Sequence, residues 1–564
     1  MTTLRDPLRE TIERRLSQRW DTAQITVLAR ARPPLDLTGR DLHAAAAQLV
    51  ERWGAQFGPG PHTLVLALPP GERFLAALLA GLLGGHTLVP VALPRAGAHS
   101  DRLAHVLGDC DATALLCLAE HRPAILRHLG TAEDRPAGPR VVAIDGPDNT
   151  EADGVAPRRG ADAGPGPAII QYTSGSMRLP KGVRIFGEQI LANADLVMRS
   201  WDLDASSRFV NWLPHYHDMG LMGGILYPLL AGAYSVQMSP LDMIRRPADW
   251  LRAVSTYRAT FSGGPAFAFA DCVRRVADED CVGLDLSCWS RAFCGAEPIP
   301  AGLLPSFRSR FAPYGLAPAA VFGCYGLAEM TLFAAGAPED GPLPLPPKGC
   351  GAVHPCRLTE ITAPGLRIVD PESGRSVPDG ESGEIWLRGD SMGRGYLNRP
   401  KETQTAFGVA PASGAGGEWL RTGDLGAISG EWVYVTGRLK DILIVNGRKV
   451  AAAELEWLAA GLDDALNPLA AAAFMPDPTE SGTAVLLIEL KSGRKAPDRP
   501  DTVRVAIERA VSGEWGLRLR DVRILPRGGL ERTTSGKIRR QAVAEAYRQG
   551  RYATDGEATG AAAP

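Results

Sequence analysis

The sequence predicts an α/β fold followed by a smaller α+β region, and three patterns support this prediction. Between residues 38 and 118, runs with helical spacing alternate with short apolar runs, which is typical of a parallel sheet covered by helices on both faces. Between residues 367 and 436 the strands are short and separated by Gly, Asp and Pro, as in a small β-barrel. From residue 442 to residue 547, strands and helices mix again.

The first region sets the expected order of elements. The spacing of apolar residues predicts helices over 41–53, 72–83 and 102–107, and strands over 63–68, 87–93 and 112–118. The most apolar stretch of the region, 74–94, is interrupted by Gly84, Gly85 and Pro90. We therefore expect a buried helix, a turn and a strand there rather than a membrane span.

Length and composition exclude several classes of protein. A chain of 564 residues is too long for one hydrophobic core, so we expect several domains. The net charge of -2 gives no electrostatic footprint for nucleic acid or an anionic membrane. Nine cysteines occur singly, which indicates neither a disulfide framework nor a zinc site. The charged N-terminus lacks the apolar core of a signal peptide, and we expect a cytoplasmic protein without stable membrane insertion.

The stretch 169–183 has the composition of a polyphosphate-binding loop. Two apolar residues end a predicted strand, hydroxyl side chains surround Gly175, and Pro180, Lys181 and Gly182 close the loop. Small residues let backbone N–H groups approach an anion, hydroxyls donate to its oxygens, and the lysine supplies positive charge. The stretch is not a Walker loop, because position 180 would need glycine and position 182 serine or threonine. An ordinary turn rich in small polar residues is the alternative.

A second concentration of polar groups lies in 211–224. His215, His217 and Asp218 are metal ligands by residue type, but they share one turn and no other His/Asp cluster completes a set. The glycines that follow allow close approach of a bound chain. We therefore expect a substrate-facing loop here rather than a metal site.

Three apolar strands break at Gly or Pro where they reach the carboxyl edge of the predicted sheet, in 259–269, 292–298 and 321–332. Loops at that edge bind ligands in doubly wound folds. In the third segment, Tyr325 offers a ring for stacking on a base and Glu329 a carboxylate for Mg²⁺. A core tyrosine and a solvated helix cap are the ordinary roles of these residue types.

The segment 389–393 matches the Gly-x-Ser-x-Gly nucleophile elbow of serine hydrolases. That elbow requires a strand-to-helix turn, whereas the residues that follow, 396–400, predict no helix. We therefore reject a serine hydrolase.

Lysine is rare in this chain, because arginine provides most of the positive charge. Eight of the 61 basic residues are lysine. Lys181, Lys440 and Lys537 lie in or beside the motifs rich in Gly, Ser and Thr, and this placement indicates a need for a compact ammonium group.

Taken in order, these motifs resemble a known family. The sequence is similar to the adenylate-forming superfamily of acyl-CoA synthetases, firefly luciferase and peptide-synthetase adenylation domains, and most of all to its fatty acyl-AMP ligase branch. The resemblance covers nearly the whole chain. Beside the loop at Thr173, the motifs that carry it are 212–224, 295–298, 324–329, 419–425 and 436–441.

The resemblance implies a division of the chain into domains. A large N-terminal domain, 1–437, would contain two doubly wound α/β sheets and a small β-barrel at about 350–437. A hinge at 438–441 would connect it to a small, mobile α+β domain, 442–564, which ends in a disordered tail.

The resemblance also implies a nucleotide site built from loops far apart in sequence. The loop from Thr173 to Lys181 would cover the β- and γ-phosphates, and Tyr325 would stack on adenine. Glu329, together with Thr173, would hold Mg²⁺, while Asp424 would bind the ribose hydroxyls with help from Arg438. The residues expected at the nucleotide are Thr173, Ser174, Gly175, Ser176, Gly295, Ala296, Glu297, Tyr325, Gly326, Asp424 and Arg438.

Three residues are implied in catalysis, namely Lys537, Lys181 and His217. Lys537 would reach in from the small domain during adenylation, and Lys440 would lie at the hinge. The residues expected at the acyl pocket are His217, Met219, Gly220, Ser262 and Gly264.

The implied reaction begins with ATP, Mg²⁺ and a carboxylic acid. A carboxylate oxygen attacks the α-phosphorus and pyrophosphate leaves, so a positioned lysine and Mg²⁺ stabilise the negative charge that develops in the transition state. The acyl group then passes to the phosphopantetheine thiol of a carrier protein. Because no carrier domain is recognised in the sequence, we expect that partner to act in trans.

The sequence departs from the branch at several positions. Met177 and Arg178 replace the usual Thr-Gly of the phosphate loop, and Cys294 stands where Asn is common. The branch generally carries an inserted segment after the Glu329 motif that disfavours CoA, whereas here 334–351 is short and rich in Pro.

These departures leave alternatives open. CoA remains possible as the acyl acceptor, as does adenylation of an unusual carboxylate or another oxyanion. A non-catalytic relative that binds nucleotide is a further alternative, against which the joint presence of Lys181, Glu329, Asp424, Arg438 and Lys537 argues.

Overall fold

The computed structural model describes residues 6–30, 32–58, 60–94, 101–129, 139–146, 166–173, 180–339, 341–412, 417–445, 448–476, 483–491, 494, 500–533 and 537–552. The expectations for Ser174, Gly175, Ser176, Met177 and Arg178, and for the tail after residue 555, fall outside these residues.

The helices and strands of the described residues alternate through the first half of the chain, as predicted. The helices are α1 (Pro7–Gln18), α2 (Gly39–Phe57), α3 (Glu72–Leu83), α4 (Asp101–Asp109), α5 (Arg122–Leu129), α6 (Gly187–Trp201), α7 (Tyr227–Ala231), α8 (Pro240–Arg245), α9 (Pro247–Thr256), α10 (Ala266–Arg275), α11 (Leu303–Phe311), α12 (Pro400–Ala406), α13 (Ala452–Ala460), α14 (Pro500–Trp515) and α15 (Arg540–Arg548). The strands are β1 (Ala23–Ala29), β2 (Arg32–Thr38), β3 (Thr63–Leu66), β4 (Thr87–Pro90), β5 (Ala114–Cys117), β6 (Arg140–Ala143), β7 (Ile169–Tyr172), β8 (Gly182–Ile185), β9 (Arg208–Asn211), β10 (Tyr234–Gln237), β11 (Phe261–Pro265), β12 (Arg291–Gly295), β13 (Val321–Gly323), β14 (Tyr325–Gly326), β15 (Phe333–Ala335), β16 (Cys356–Arg357), β17 (Leu366–Val369), β18 (Ser382–Leu387), β19 (Leu420–Ser429), β20 (Trp432–Arg438), β21 (Ile442–Val445), β22 (Arg448–Ala451), β23 (Leu466–Phe474), β24 (Thr483–Leu490) and β25 (Arg518–Leu525).

A six-stranded sheet holds the first predicted region, in the order β6-β5-β3-β4-β7-β8. All neighbours pair in parallel except β7 and β8, which form an antiparallel pair around the loop that follows Thr173. Strands such as β5 are apolar and buried along their whole length, as expected for a parallel sheet covered on both faces. The helix predicted over 72–83 begins at Glu72 and ends at Leu83.

A twelve-stranded sheet contains the three strands that were predicted to break at its edge. Its order is β17-β18-β19-β20-β16-β13-β12-β11-β9-β10-β1-β2. The run from β16 to β1 pairs in parallel, whereas the strands on the far side, from β17 to β20, pair antiparallel with one another and join through β16. The carboxyl ends of β11, β12 and β13 therefore meet at one edge, as the sequence indicates.

The last part of the chain forms a separate three-stranded sheet, β23-β24-β25, with its own apolar core. Helices α13, α14 and α15 pack on it. A single helical turn, Leu439–Asp441, lies between β20 and β21 at the predicted hinge. The division into domains that move relative to each other stays a prediction.

Among the described residues, no helix combines the length and the apolar character needed to cross a membrane.

Candidate active site

A cavity of about 560 Å³ lies where the two large sheets meet the last part of the chain. Thr173 and Lys181 come from the edge of the six-stranded sheet, Asp424 from the twelve-stranded sheet, Tyr325 from the two-stranded sheet of β14 and β15, and Lys537 from the loop before α15. This volume is within the usual range for small-molecule sites, about 300–1,000 Å³. The predicted residues that line the cavity are Thr173, Lys181, His217, Met219, Ala296, Glu297, Tyr325, Gly326, Glu329, Asp424, Arg438, Lys440 and Lys537.

Asp424 has both carboxylate oxygens engaged. The Tyr325 hydroxyl donates to Oδ2 at 2.8 Å, and Nε of Arg438 lies 2.8 Å from Oδ1. Asp424 and Arg438 face each other across β19 and β20, so the strand register creates the pair. The carboxylate of Asp424 raises the pKa of Arg438, and burial, with the nearby Asp424 charge, raises the pKa of Tyr325. Both groups therefore keep their protons at neutral pH.

Glu329 lies on the phosphate-loop side of the cavity and is held by a residue that the sequence analysis did not single out. The Tyr396 hydroxyl donates to Oε1 of Glu329 at 2.7 Å. Burial raises the pKa of Glu329, and the Tyr396 hydrogen bond opposes that shift. Nζ of Lys181 lies 4.8 Å from the centroid of the Tyr396 ring, within cation–π range. Tyr396 thus contacts both a predicted anion-binding cation and a predicted metal ligand.

The phosphate loop is closed at its base. The backbone N–H of Thr173 donates to the carbonyl oxygen of Lys181 at 3.0 Å, immediately beyond the β7–β8 pair. This bond places the start and end of the loop side by side at the mouth of the cavity. The Thr173 hydroxyl and the Lys181 ammonium are groups that suit an anion.

The turn after β12 approaches the cavity closely. A Cβ on Gly295 would lie 2.6 Å from the carbonyl oxygen of Cys324, so the close contact with the next strand requires glycine. Ala296 follows with φ of 71°, a conformation uncommon for a residue with a side chain and enriched at functional sites. Glu297 then turns inward, where burial raises its pKa and Lys537 opposes the shift.

Lys537 lines the cavity and is half-buried. Its backbone is held by Thr533, whose N–H donates to the Lys537 carbonyl at 2.7 Å and whose hydroxyl accepts from the Lys537 N–H at 3.1 Å. Burial and the charge of Arg438 lower the pKa of Lys537, while Asp218, Glu297 and Asp424 oppose the shift. Carboxylates from three separate segments of the chain therefore act on one ammonium group.

His217 and Asp218 form a pair at the cavity wall. Nδ1 of His217 lies 2.6 Å from Oδ1 of Asp218, which also accepts the backbone N–H of Met219 at 2.7 Å. Burial alone would raise the pKa of Asp218, but His217 and Lys537 prevail and lower it. Asp218 is therefore a half-buried anion that orients the imidazole, a role that the sequence did not indicate.

Behind these polar groups the cavity continues as an apolar chamber. Its walls come from the face of α6, the helix that starts at Met219, and the strands β9, β12 and β15. The residues of the apolar chamber are Val197, Trp201, Phe209, Met219, Gly223, Tyr227, Phe293, Leu332 and Phe333. Apart from Met219, the sequence analysis missed them, although the spacing of Val197 and Trp201 places both on one helical face.

Three residues expected at the acyl pocket are not part of the described cavity lining. A Cβ on Gly220 would lie 2.2 Å from the carbonyl oxygen of Pro214, and one on Gly264 would lie 2.5 Å from the Trp212 ring. The Ser262 hydroxyl donates to the carbonyl oxygen of Val210 at 2.7 Å and accepts from the indole of Trp250 at 2.7 Å. All three positions serve internal packing, because their small size allows neighbouring elements to approach.

An ion-pair network borders the cavity on the side of the hinge. The Arg540 guanidinium donates to both carboxylate oxygens of Glu456, at 2.8 Å each, and to Oδ2 of Asp441 at 2.7 Å. Burial and Arg438 lower the pKa of Lys440, with Asp441 opposing. The turn Leu439–Asp441 is therefore fixed to the same helix that follows Lys537.

The donor groups of the described residues decide whether a metal ion fits this site. No group of three or more His, Cys, Asp or Glu side chains that suits a metal ion occurs in the part of the chain that the structure describes. Mg²⁺, however, is held in nucleotide sites by one or two carboxylates together with phosphate oxygens and water. The half-buried Glu329 carboxylate and the Thr173 hydroxyl, both on the cavity wall, fit that requirement.

Comparisons with known proteins show which family the chain belongs to. The AMP-binding enzyme family matches residues 22–397. The long-chain-fatty-acid–AMP ligase FadD26 of Mycobacterium marinum is 36% identical over 543 residues, which cover 91% of each chain. The putative fatty-acid–CoA ligase FadD21 of Mycobacterium tuberculosis is 36% identical over 519 residues, 87% of this chain and 88% of that protein.

Solved structures show the same fold. A chain from structural work on fatty acyl-adenylate ligases of E. coli and L. pneumophila superimposes with a TM-score of 0.81 at 27% identity, covering 97% of this chain and 98% of its own. The L. pneumophila fatty acyl-adenylate ligase in complex with acyl adenylate and pyrophosphate gives 0.67 at 26% identity, covering 97% and 96%. The chain thus belongs to the AMP-binding enzymes, as an ATP-using, adenylate-forming ligase most like the fatty acyl-AMP ligases.

Proposed function

We propose that this ligase converts a fatty or related acid to its acyl-AMP, with release of pyrophosphate, and then transfers the acyl group to the phosphopantetheine thiol of a carrier protein acting in trans. One observation supports the first step above all. The half-buried Lys537 ammonium lies in the field of Asp218, Glu297 and Asp424, in a cavity that is polar at one end and apolar at the other.

The arrangement assigns a task to each end of the cavity. At the polar end, Asp424 and Arg438 would bind the sugar, and Lys181 with the Thr173 loop would bind the leaving pyrophosphate. The apolar chamber would hold the acyl chain, so that the carboxylate meets the α-phosphorus near Lys537. A fixed ammonium at that point stabilises charge that develops only in the transition state.

Mg²⁺ fits the same proposal. Glu329, whose pKa is raised by burial, gains a favourable partner when a divalent cation is bound. Mg²⁺ would neutralise phosphate charge, and Tyr396 would hold the Glu329 carboxylate in position.

The first experiment measures acid-dependent exchange of pyrophosphate into ATP with a panel of fatty, aryl and amino acids. We expect exchange with fatty acids. The variant Asp424→Asn removes the charge that holds Arg438 and should raise the KM for ATP about tenfold. Asp202→Asn is the matched control, because Asp202 is exposed and lies outside the cavity lining. Exchange with no acid at all would contradict the proposal.

The second experiment identifies the acceptor. Acyl thioester formation is compared between a phosphopantetheinylated carrier protein and free CoA. We expect thioester on the carrier and release of acyl-AMP when only CoA is present. Rapid formation of acyl-CoA would instead favour an acyl-CoA synthetase, in line with the name of FadD21, a putative fatty-acid–CoA ligase.

A further inference from the structure

The apolar chamber has a definite end, and this deepens the proposed function, on which it rests. One wall is the helix Met219–Leu226, which is a π-helix and therefore has wider turns than an α-helix. It continues directly into α7. Met219, Gly223 and Tyr227 all line the chamber at intervals of four residues, about one turn each. Met219 follows Asp218, which lies in the field of Lys537, so this end faces the reacting groups.

The depth of the chamber follows from that wall. Eight residues separate Met219 from Tyr227, which corresponds to at most about 12 Å at the rise of an α-helix. An extended hydrocarbon chain advances about 1.3 Å per carbon, given ordinary carbon–carbon bond lengths. The wall is therefore as long as an extended chain of about nine carbons beyond the carboxylate.

Trp201 lies at the far end, because its carbonyl oxygen accepts from Nε of Arg291 at 2.9 Å, and Arg291 begins β12 whereas the reacting groups lie at the carboxyl end of that strand. Its ring stacks on Phe293 with centroids 5.2 Å apart and an interplanar angle of 23°. It also makes edge contacts with Phe322 at 5.3 Å and Phe333 at 5.0 Å. The indole N–H donates to the carbonyl oxygen of Gly336 at 2.9 Å. The ring is thus held on several sides and cannot turn away without losing these contacts.

The residues around this end are buried. Trp201 is 6% exposed and Phe293 7%, and both line the chamber. Behind Trp201 lie the fully buried Phe322 and the buried main chain of Gly336. A chain longer than the wall would therefore have to displace a packed indole.

The opposite edge is held just as firmly. The side-chain amide of Asn193 donates to the carbonyl oxygen of Phe333 at 2.8 Å, and its oxygen accepts the Phe333 N–H at 2.9 Å and the Tyr227 hydroxyl at 2.6 Å. Asn193 lies on α6 one turn before Val197 and two turns before Trp201. It joins α6, β15 and α7 into one frame, so the chamber cannot widen easily at its end.

We propose that Trp201 sets an upper limit on acyl length, so that this enzyme takes medium-chain acids of up to about ten carbons and discriminates against long-chain acids. Trp201 is a specificity-determining residue in this reading. The limit would separate this chain from relatives such as FadD26, which is named for long-chain acids.

The test is a profile of kcat/KM for pyrophosphate exchange with hexanoate, octanoate, decanoate, dodecanoate and hexadecanoate. The wild-type enzyme should use octanoate at least about tenfold better than hexadecanoate. Trp201→Ala should raise the ratio of hexadecanoate to octanoate at least about tenfold with the KM for ATP unchanged, whereas Trp201→Phe should keep the wild-type order.

A second variant moves the limit in the other direction. Val197→Trp places an indole one helical turn nearer the reacting groups, so decanoate should be lost while hexanoate is kept. It tests the proposal even if Trp201→Ala does not fold. Equal use of octanoate and hexadecanoate by the wild-type enzyme, or an unchanged profile in both variants, would overturn the length limit alone. Exchange with no acid would overturn the proposed function itself.

Discussion

Two carboxylates of the cavity, Asp424 and Glu329, each accept a hydrogen bond from a tyrosine, yet their surroundings differ. Asp424 also faces Arg438, so its negative charge is already balanced inside the protein. Glu329 is held by Tyr396, and burial raises its pKa. A carboxylate in the second situation gains more from an added cation than one in the first. The same residue type therefore suits sugar binding at one position and metal binding at the other.

At the scale of a single residue, His215 provides a stability prediction. Burial lowers its pKa from 6.5 to about 4, with Gln237 opposing the shift. The unfolded chain binds this proton below pH 6.5, but the folded chain binds it only below about pH 4. Stability should therefore fall as the pH drops through this window, by about 3 kcal/mol from His215 alone.

The measurement is the free energy of unfolding in urea between pH 7.5 and pH 4.5, in steps of about half a pH unit. His215→Gln should flatten the decrease by roughly that amount. The exposed His43→Gln is the control and should follow the wild-type curve. Parallel curves for His215→Gln and wild type would contradict the prediction.

At the scale of an element, the helix Met219–Leu226 has the wide turns of a π-helix and contacts both β9 and β10. Asn211 in β9 bonds to Gln237 in β10 at 2.8 Å, and the Gln237 amide donates to the carbonyl oxygen of Gly224 at 2.8 Å. Wide turns of this kind occur often at functional sites. Here the turn presents Gly223 to the apolar chamber and Gly224 to the sheet.

Substitution of these two neighbouring glycines should change the free energy of unfolding by different amounts. A Cβ on Gly224 would lie 2.2 Å from the Asn211 amide, whereas one on Gly223 would meet only the flexible end of Leu332 at 3.1 Å. Gly224→Ala should lower the free energy of unfolding by about 2 kcal/mol through overpacking. Gly223→Ala should leave it unchanged or raise it by up to about 1 kcal/mol, because alanine favours helix. Urea denaturation distinguishes the two, and equal effects would mean that the sheet does not constrain the helix.

At the scale of the whole molecule, the predicted hinge at 438–441 is linked by ion pairs to the segment that carries Lys537. Arg540, three residues after Lys537, is paired with Asp441 in the turn Leu439–Asp441 and with Glu456 in α13. A rotation about that turn would carry Lys537 out of the cavity together with the three-stranded sheet. This agrees with an enzyme that uses the lysine for one step and removes it for the next.

Lys537→Ala tests that alternation. Adenylation should fall at least about a hundredfold, as for other preorganised charged contacts. Transfer of the acyl group from supplied acyl-AMP to the acceptor should remain largely intact, because that step does not use Lys537. Each half-reaction is measured separately, with the exposed Lys401→Ala as the matched control. An equal loss in both half-reactions would contradict alternation.

Much of the site was predictable because its motifs are local. The strand–loop–strand around Thr173 and Lys181 and the strand break at Gly295 are each encoded within a few residues, where small side chains and polar groups determine the backbone. Tyr396 was missed because its sequence neighbours indicate no function for it. Only folding places it against Glu329, 67 residues away. Gly264 and Ser262, predicted at the acyl pocket, lie outside the described cavity lining, because small residues serve close packing as well as ligand access.

The sequence by itself determined the class of fold, the order of strands and helices, and the loops that bear charge, because apolar periodicity and turn residues act over short distances. Only the tertiary structure decided which segments share a cavity, that His217 and Lys537 hold Asp218 as an anion, and that Trp201 and Phe293 stack in the wall of the apolar chamber. Those properties depend on burial and on contacts between elements far apart in the chain, and no local pattern contains them.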